Sequence, residues 1–335
     1  MSYQFEKVFV SKEALKYPIT QNILENISQE KILYKEIPPE GKNTIFLTVK
    51  KGDMLKRIPY EDKTSACLIY QTNCRLGCTY CYLQSYYNSY KGITIYVNSQ
   101  ELLSQIDSTK RFKKFYAGEL NDSLDLDNLT NYTKILIPFF NKRKDIFLEL
   151  RTKTDNISNL LNLKPTSNIV ITWSLNPASI IKEYESRTSS LQQRLKAGKS
   201  CQEAGYKIGF HLDPIIYTPN FEEEYGQLIE LIAKNITKLE KIAYISLGGF
   251  RFTRDLAKII REKPLQERRI LSSEFVKCED GKFRYFKPIR LKMYRYILDK
   301  IRLTLGDIRT YFCMEQFSRV IVMSLLHFAF CSKPC

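Results

Sequence analysis

Short apolar runs alternate with longer amphipathic segments along most of this chain, and that alternation limits the folds it can adopt. The runs have the length of strands and carry β-branched or aromatic residues, which is typical of strands buried in a sheet. They comprise residues 64–70, 114–117, 146–151, 168–174, 207–212 and 242–247. The helix-like stretches between them comprise residues 99–106, 129–140, 157–163, 189–204 and 221–236. Strands that alternate with helices form a parallel sheet with helices outside it, so the pattern predicts the α/β class.

The number of alternations also limits the size of the sheet. Six strand–helix units are too few for a complete eight-fold barrel, so we expect a partial barrel or an open sheet. Residues 1–60 are less regular and are predicted to be an N-terminal extension, followed by a core at 61–252 and a basic C-terminal segment at 253–335. Within that last segment, residues 280–302 are predicted to form one basic amphipathic helix after a turn at Asp280–Gly281.

The composition limits the cellular compartment and the class of binding partner that we expect for this chain. The hydrophobic fraction of 44% is ordinary for a globular protein, and no uninterrupted apolar stretch reaches the roughly 18 residues of a spanning helix. The N-terminus has no signal-peptide pattern, so we expect a cytoplasmic protein without membrane association, in which the nine Cys serve as thiols, metal ligands or redox groups. Residues 251–302 carry 16 Lys or Arg against 7 Asp or Glu. This excess favours a nucleic-acid partner, although a solvated helical surface would also explain it.

Three of the nine Cys lie in one short segment, as Cys74, Cys78 and Cys81 with the spacing C-x3-C-x2-C. Thiolates so close together repel and oxidise unless a metal holds them, and they suit zinc or an iron–sulfur cluster. A structural zinc site needs a fourth protein ligand, and no Cys or His follows before Cys201. Three Cys on a [4Fe–4S] cluster leave one iron open to a substrate or cofactor. The segment follows the first predicted strand, where active sites of parallel α/β proteins lie.

The cysteine motif resembles the radical S-adenosylmethionine (SAM) superfamily. The string CysThrTyrCysTyrLeuGln at 78–84 is similar to the spore photoproduct lyase-like branch, which includes DNA-repair-photolyase-like proteins. Further segments that fit this branch are residues 117–124, 150–155, 173–177, 204–214, 245–252 and 311–315. The resemblance implies a partial (β/α)6 barrel of the TIM type.

The resemblance also implies the cofactors. Cys74, Cys78 and Cys81 would ligate a [4Fe–4S] cluster whose open iron binds SAM. Reductive cleavage of SAM would give a 5′-deoxyadenosyl radical that abstracts hydrogen from the substrate. A reductant such as flavodoxin or ferredoxin would supply the electron, and the protein would orient these species and exclude quenchers.

Residues after the second, third and fourth predicted strands are candidates for the SAM site. Gly118 and Glu119 resemble the superfamily's Gly-Gly-Glu element, in which Gly permits close backbone approach and Glu accepts hydrogen bonds from the amino group of SAM. Lys153 would pair with a carboxylate, the one on SAM. The remaining candidates are Asn121, Ser174 and Asn176. The alternative interpretations are a surface Glu, a solvated Lys and residues that shape loops or turns.

Tyr80 and Tyr82 flank Cys81, and in the resembling lyase tyrosines at these positions belong to the hydrogen-transfer chain or line the cofactor site. Aromatic packing is the alternative in a chain with 22 Tyr. That lyase also has a Cys in the loop after its second strand, which gives a hydrogen atom to the product radical. Its position falls on or next to Glu119 here. Cys313 is a candidate substitute for this donor, or else a buried structural thiol.

Three further residues are candidates for substrate contact. His211 and Asp213 close the fifth predicted strand, and Arg251 follows a Gly pair in a setting that suits an anionic group such as a phosphate. We therefore expect a radical SAM enzyme that resembles spore photoproduct lyase, with a DNA photoproduct as its substrate. The alternatives are a radical SAM enzyme acting on RNA, a peptide or a small molecule, and a non-enzymatic, zinc-clipped nucleic-acid-binding protein.

Overall fold

Strands and helices alternate along the residues that the computed structural model describes, which are 5–28, 32–36, 43–87 and 92–315. The strands are β1 (Lys7–Val10), β2 (Ile32–Tyr34), β3 (Thr44–Thr48), β4 (Leu55–Arg57), β5 (Ser65–Leu68), β6 (Gln71–Thr72), β7 (Ile93–Tyr96), β8 (Lys114–Ala117), β9 (Phe147–Thr152), β10 (Ile169–Ser174), β11 (Lys207–Ile215), β12 (Ile242–Gly249), β13 (Arg251–Phe252), β14 (Phe275–Lys277), β15 (Phe283–Tyr285) and β16 (Thr310–Phe312). The helices are α1 (Pro18–Glu25), α2 (Leu83–Tyr86), α3 (Ser99–Ser108), α4 (Asp127–Thr130), α5 (Tyr132–Lys142), α6 (Ser158–Leu161), α7 (Ala178–Tyr184), α8 (Leu191–Glu203), α9 (Phe221–Asn235), α10 (Arg254–Arg261), α11 (Leu265–Arg268) and α12 (Lys287–Leu305). None of these helices is both long and apolar enough to cross a bilayer.

The described residues form two compact units. The first comprises those within Met1–Leu76, Tyr86–Thr152 and Asn156–Ile169, and the second those within Gly77–Ser85, Lys153–Asp155 and Val170–Cys335. Every predicted strand is present, with β5, β8 and β9 in the first unit and β10 from Val170 onward, β11 and β12 in the second. The α/β class is therefore confirmed. The segment boundaries predicted after residues 60 and 252 stay predictions.

Two sheets build the first unit. One has the strand order β2-β1-β3-β7-β6, and its pairs are parallel except β6 with β7. In the other, β5, β8 and β9 are parallel neighbours, and β4 pairs antiparallel with β5. Regular sheet thus begins within the region predicted as an extension. These strands are not evident from the sequence, because charged residues interrupt the apolar pattern between them.

Four parallel strands, in the order β10-β11-β12-β16, form the centre of the second unit. The register pairs Trp173 with Phe210 and Phe210 with Ile245, and all three side chains are buried. Since side chains alternate between the two faces of a strand, these residues define an apolar face. Helix α8 packs on that face through Gly198, where a Cβ would lie 3.7 Å from the Trp173 ring.

The opposite face of the same four strands is polar. The register aligns Ser174, His211, Ser246 and Tyr311 side by side, one from each strand. We call these four residues the polar row. Its first three members are buried, so the chain places hydroxyl and imidazole groups inside the unit on the face that lies away from α8.

The prediction of one helix over 280–302 is wrong in its first turns. Strand β15 pairs antiparallel with both β13 and β14, and α12 begins only at Lys287. Pro288 lies at the start of α12, where its missing N–H removes no helical hydrogen bond. The predicted turn is present, since the Gly281 amide donates to Cys278 O at 2.9 Å. The apolar segment at 316–335, which by length and composition would suit a short docking helix, lies outside the described residues.

Candidate active site

The cysteine motif lies on the loop between β6 and α2. Cys74 belongs to the first unit, whereas Cys78 and Cys81 belong to the second. The described cysteines are all free thiols. Two residues of the loop, Asn73 and Gly77, have positive φ values of 69° and 61°. Glycine and asparagine tolerate this conformation best, so the residues between the thiols suit the turns that the loop makes.

The residues before and after Cys74 in the sequence, Asn73 and Arg75, hold the backbone at Cys74 in place. Asn73 Oδ1 accepts a hydrogen bond from the Cys74 amide at 2.9 Å. The Arg75 guanidinium donates to both carboxylate oxygens of Asp125, from Nε at 3.0 and 2.8 Å. The Asp125 side chain is only 2% exposed, and burial together with the neighbouring Asp122 raises its pKa to about 6, despite Arg75. A buried carboxylate therefore anchors the residue that follows Cys74.

Hydrogen bonds also shape the stretch that carries Cys78 and Cys81. The Cys81 amide donates to Cys78 O at 3.0 Å, and Gln84 Nε2 donates to the same oxygen at 2.5 Å. Burial raises the pKa of both thiols. These thiols therefore hold their protons at neutral pH, and binding of a metal here must release them.

Tyr80 lies between Cys78 and Cys81 in the sequence, and its side chain belongs to a buried polar network. Its hydroxyl donates to Glu185 Oε1, which also accepts from Asn176 Nδ2 at 3.0 Å. Arg194 forms a fully buried ion pair with the same carboxylate. Burial alone would raise the pKa of Glu185, but Arg194 and Lys153 hold it at about 2. The Lys153 ammonium also lies 5.7 Å from the centre of the Tyr80 ring.

The structure thus brings several predicted site residues of the second unit together. Tyr80, Lys153 and Asn176 surround Glu185, and the carbonyl of Ser174 accepts from Arg194 Nη1 at 2.8 Å. Tyr82 is different, since it is 43% exposed. Glu185 and Arg194 were not predicted from the sequence as site residues. Nothing in the local sequence marks them, because a charged residue gives no sign in the sequence that the fold will bury it.

Gly118 and Glu119 directly follow β8 in the first unit. Gly118 has φ of +99°, and a Cβ there would lie 2.7 Å from Arg151 O, so only glycine fits. Glu119 accepts from Arg151 Nη1 at 2.9 Å and from the Tyr60 hydroxyl. Arg151 also donates to Glu149 Oε1 at 3.0 and 3.1 Å. By formal charge, two carboxylates and one guanidinium leave this group negative, which suits a cationic partner. Tyr60 and Arg151 were not predicted from the sequence as site residues.

Asn121 offers an acceptor in the loop after β8. Its Nδ2 donates to Asp122 O at 3.1 Å, while its buried Oδ1 has no hydrogen-bond partner among the described residues. An unpaired buried acceptor costs about 1–3 kcal/mol, so a donor on a bound molecule would fit here. Asp122 has a different role, because its Oδ1 accepts from the amides of Leu124 and Asp125 at 3.0 Å and from Thr152 Oγ1 at 2.7 Å. It shapes the loop.

A second, half-buried ion pair lies beyond the polar row. Arg251 Nη1 and Nη2 donate to the two oxygens of Asp213 at 2.9 and 3.1 Å. A Cβ on Gly248 would lie 2.6 Å from Asp213 Cγ, so this glycine leaves room for the carboxylate. Burial alone would raise the pKa of Asp213, but Arg251 lowers it. The guanidinium that was predicted to bind a phosphate is thus already paired within the chain.

The donor chemistry of the loop fits an iron–sulfur cluster. It offers three thiols and no carboxylate or imidazole between them, which is a soft ligand set. Among the described residues, no group of three or more His, Cys, Asp or Glu side chains is arranged to hold a metal ion. In a [4Fe–4S] cluster each thiolate binds its own iron, so the cysteines need not meet at one point.

Comparison with known proteins relates these features to one family. The family model described as "Spore photoproduct lyase" matches residues 3–313. Spore photoproduct lyase of Clostridium acetobutylicum is 28% identical over 312 residues, which cover 86% of this chain and 91% of that protein. The Bacillus subtilis lyase is 27% identical over 308 residues, which cover 85% and 90% respectively.

Solved structures of spore photoproduct lyase have the same fold. One, complexed with dinucleoside spore photoproduct, has a TM-score of 0.80 at 23% identity and covers 93% of this chain and 100% of its own. A mutant with bound AdoMet (SAM) and dinucleoside spore photoproduct has a TM-score of 0.78 at 23% identity with the same coverage.

These matches first define the class. The fold is the partial TIM-type barrel of radical SAM enzymes, as the sequence predicts, and SAM and a [4Fe–4S] cluster are the cofactors of that class. More narrowly, the chain belongs to the spore photoproduct lyase family. Since the match begins at residue 3, the residues predicted as an N-terminal extension lie within the length that the family model covers.

Proposed function

We propose that this chain repairs a photoproduct of DNA with the aid of a [4Fe–4S] cluster and SAM. The family match over residues 3–313, which includes the complete C-x3-C-x2-C motif, carries the proposal. The relatives are named for action on the spore photoproduct, and two matching structures hold the dinucleoside form of it. When bound, the cluster and SAM supply radical chemistry that amino-acid side chains lack.

The chain's own residues would bind and orient these cofactors. Cys74, Cys78 and Cys81 would ligate the cluster. The negative group around Glu119, next to Gly118, suits the amino group of SAM, because a carboxylate binds a cationic donor strongly. The remaining SAM contacts we propose are Asn121, whose buried oxygen is free to accept, Lys153 for the carboxylate of SAM, and Ser174 and Asn176 for its polar groups.

Tyr80 and Tyr82 would belong to the hydrogen-transfer chain, as the positions on either side of Cys81 imply. The support differs between them. The Tyr80 hydroxyl is held by Glu185, so its orientation is fixed before any substrate binds. Tyr82 is 43% exposed, so its ring is open to a bound molecule.

Basic residues of 251–302 support DNA as the substrate. Many of the Lys and Arg in this stretch are used within the chain, for example in the Arg290–Glu315 and Lys300–Glu230 pairs. Several others are exposed and make no ion pair with another described residue, namely Arg254, Arg261, Arg268, Arg269, Lys277, Lys287 and Arg295. These cations remain available to phosphates, and each contact would release a counterion from DNA.

The proposed setting is the cytoplasm, with a flavodoxin- or ferredoxin-type reductant as partner and no membrane association. Free thiols and an iron–sulfur cluster both persist best in a reducing compartment, and the described cysteines are free. The electron that such a cluster needs comes from a low-potential carrier protein.

Anaerobic turnover tests the proposal. The chain, loaded with iron and sulfide and given dithionite and SAM, is incubated with dinucleoside spore photoproduct, and both SAM cleavage and loss of the photoproduct are followed by chromatography. We expect the photoproduct to disappear together with SAM cleavage. Cleavage of SAM that never consumes the photoproduct would instead favour an RNA, peptide or small-molecule substrate. Absence of cleavage with one bound zinc would favour the zinc-clipped alternative.

A further inference from the structure

The polar row continues toward the carboxyl ends of its strands into a group formed by Asp213, Gly248 and Cys313. Each of these residues lies two positions beyond a member of the row. They meet there, because a Cβ on Gly248 would lie 2.6 Å from Asp213 Cγ and Arg251 contacts both Asp213 and Cys313. Active sites of parallel α/β proteins form at the carboxyl ends of their strands. The Cys313 thiol therefore lies at the end of the sheet where chemistry is expected.

Asp213 and Arg251 hold this thiol. Arg251 Nη2 lies 3.8 Å from Cys313 Sγ while the same guanidinium binds Asp213 on both oxygens. The Cys313 side chain is also hydrogen-bonded to Asp213. An ionised carboxylate only accepts, so the S–H group must be the donor in that bond. The ion pair therefore fixes the direction in which the Cys313 side chain points.

The backbone around Cys313 is fixed as well. The Cys313 amide donates to Leu247 O at 2.7 Å, which extends the pairing of β16 with β12 by one residue. Two positions on, the buried Glu315 carboxylate accepts from the Tyr294 hydroxyl at 2.8 Å, and that hydroxyl accepts from the Gly249 amide at 2.5 Å. Cys313 is therefore held at a defined place on the rim.

Ser246 provides an independent sign that a molecule binds on this face. It is 0% exposed, and its Oγ has no hydrogen-bond partner among the described residues. It lies on the same strand as Gly248 and projects from the same face. An unpaired buried hydroxyl costs about 1–3 kcal/mol, so a polar group of a bound molecule would fit beside it.

The other described thiols outside the motif are placed differently. Cys67 packs in an apolar cluster with Ile58 and Leu120, and burial raises its pKa to about 11. Cys201 is buried in α8, on the far face of the sheet. Cys278 lies between β14 and β15 at a turn. Among these four described thiols, only Cys313 is hydrogen-bonded to Asp213 and also lies at the carboxyl end of the parallel strands.

We propose that Cys313 donates the hydrogen atom that quenches the substrate radical, with Asp213 and Arg251 as positioning residues. This inference rests on the proposed function. In the step, the S–H bond breaks homolytically and a C–H bond forms at the substrate carbon. The substrate gains one electron and one proton, and the sulfur is left as a thiyl radical. One electron from the low-potential carrier and one proton from solvent then restore the thiol.

Deuterium transfer tests the donor directly. Thiol hydrogens exchange with solvent, so wild-type turnover of dinucleoside spore photoproduct in D2O should place deuterium in the product. We expect Cys313→Ala and Cys313→Ser to cleave SAM but to lose product deuterium and product yield by at least tenfold. Cys278→Ala is the matched control and should retain both. Product that keeps the wild-type deuterium content in the Cys313→Ala variant would overturn the inference while leaving the proposed function intact.

A second measurement needs no turnover. Iodoacetamide labelling of the folded chain, read by mass spectrometry, should modify Cys313 at least tenfold faster than Cys201, because a donor must be reachable from the site. Asp213→Asn should change the Cys313 rate at least threefold and leave Cys278 unchanged. Failure of wild type to consume the photoproduct would reject the proposed function. Protection of Cys313 equal to that of Cys201 would reject the donor itself.

Discussion

The Tyr80 hydroxyl donates a hydrogen bond to the carboxylate of Glu185, and both residues are buried. The same carboxylate forms an ion pair with Arg194, whose side chain is also buried. The residue that precedes the third motif cysteine is therefore fixed by a charged pair inside the second unit. Disruption of that pair should affect both the stability of the fold and the surroundings of Tyr80.

Acid should weaken the fold through Glu185. Its pKa is about 2 in the folded chain against an ordinary value of 4.5, because Arg194 and Lys153 overcome the effect of burial. A carboxyl group with a lowered pKa adds stability above its unfolded pKa and loses it as the pH falls toward the folded value. That difference corresponds to about 3 kcal/mol. Urea unfolding from neutral pH to about pH 2 should show this loss.

The Glu185→Gln variant is the comparison for this measurement. It cannot ionise at position 185, and it leaves Arg194 buried without its partner, which should cost roughly 3 kcal/mol at neutral pH. Its stability should then fall less steeply than that of wild type as the pH drops below 4.5. An equal acid dependence in the two proteins would show that Glu185 is not the group responsible.

The pair between Arg75 and Asp125 should control the loop that carries Cys74. Asp125→Ala leaves the guanidinium without its buried partner, and we expect a loss of about 2 kcal/mol in the free energy of unfolding together with weaker iron loading. Asp145→Ala is the control, because it breaks an exposed pair with Arg143 and should leave both quantities unchanged. Chemical unfolding and iron analysis measure the two effects. Equal behaviour of the two variants would contradict this role.

We expect Gly118 to tolerate no side chain, because neighbouring backbone fills the space that a Cβ would need, whereas the space at Gly52 is open. Both have positive φ, at +99° and +78°, but only at Gly118 would a Cβ meet backbone, at 2.7 Å from Arg151 O. Gly52→Ala should cost about 1 kcal/mol from its conformation alone. Gly118→Ala should cost a further 1–3 kcal/mol or so, because β8 or Arg151 must shift. Thermal unfolding compares the two, and equal losses would argue against the close approach.

DNA binding should depend on the unpaired cations of the basic stretch. Arg268→Glu should weaken binding to ultraviolet-irradiated duplex DNA and reduce the slope of log K against log salt by about 0.9 if one phosphate contact is lost. Lys110→Glu changes the net charge equally outside this stretch and should alter neither value appreciably. Fluorescence anisotropy over a range of salt concentrations gives both. A common effect of the two variants would point to overall charge rather than to a DNA-binding surface.

Much of the fold can be predicted from the sequence, because most of its longer strands are apolar runs that alternate with helix-like segments. The runs at 114–117 and 168–174 correspond closely to β8 and β10. Strands β1 to β4 are not predicted, although β1 and β3 are at least as long as β8, because residues 1–60 show no regular alternation of apolar runs with helix-like segments. Likewise, residues 283–285 continue the pattern of a helix, and only their pairing with β13 and β14 makes them a strand.

Only part of the candidate site can be predicted from the sequence. Cys74, Cys78 and Cys81 stand out because thiols at that spacing have a specific chemistry. The residues that hold them do not stand out. Glu185 meets Tyr80 across 105 positions of sequence, and Tyr60 meets Glu119 across 59. The sequence around a charged or phenolic residue does not show whether that residue is buried. Its burial is stable only with a hydrogen-bonding or charged partner, and only the fold brings that partner to it.

Iron and sulfide content of the reconstituted chain tests the central claim most directly. After anaerobic loading and desalting, wild type should hold about four iron and four sulfide per chain, with the visible absorbance of a cluster. Single Ala variants of Cys74, Cys78 and Cys81 should each lose most of both, whereas Cys201→Ala should retain them. Wild-type iron and absorbance in any of the three motif variants, or one zinc per chain in place of iron, would contradict the assignment of this loop as the cluster site.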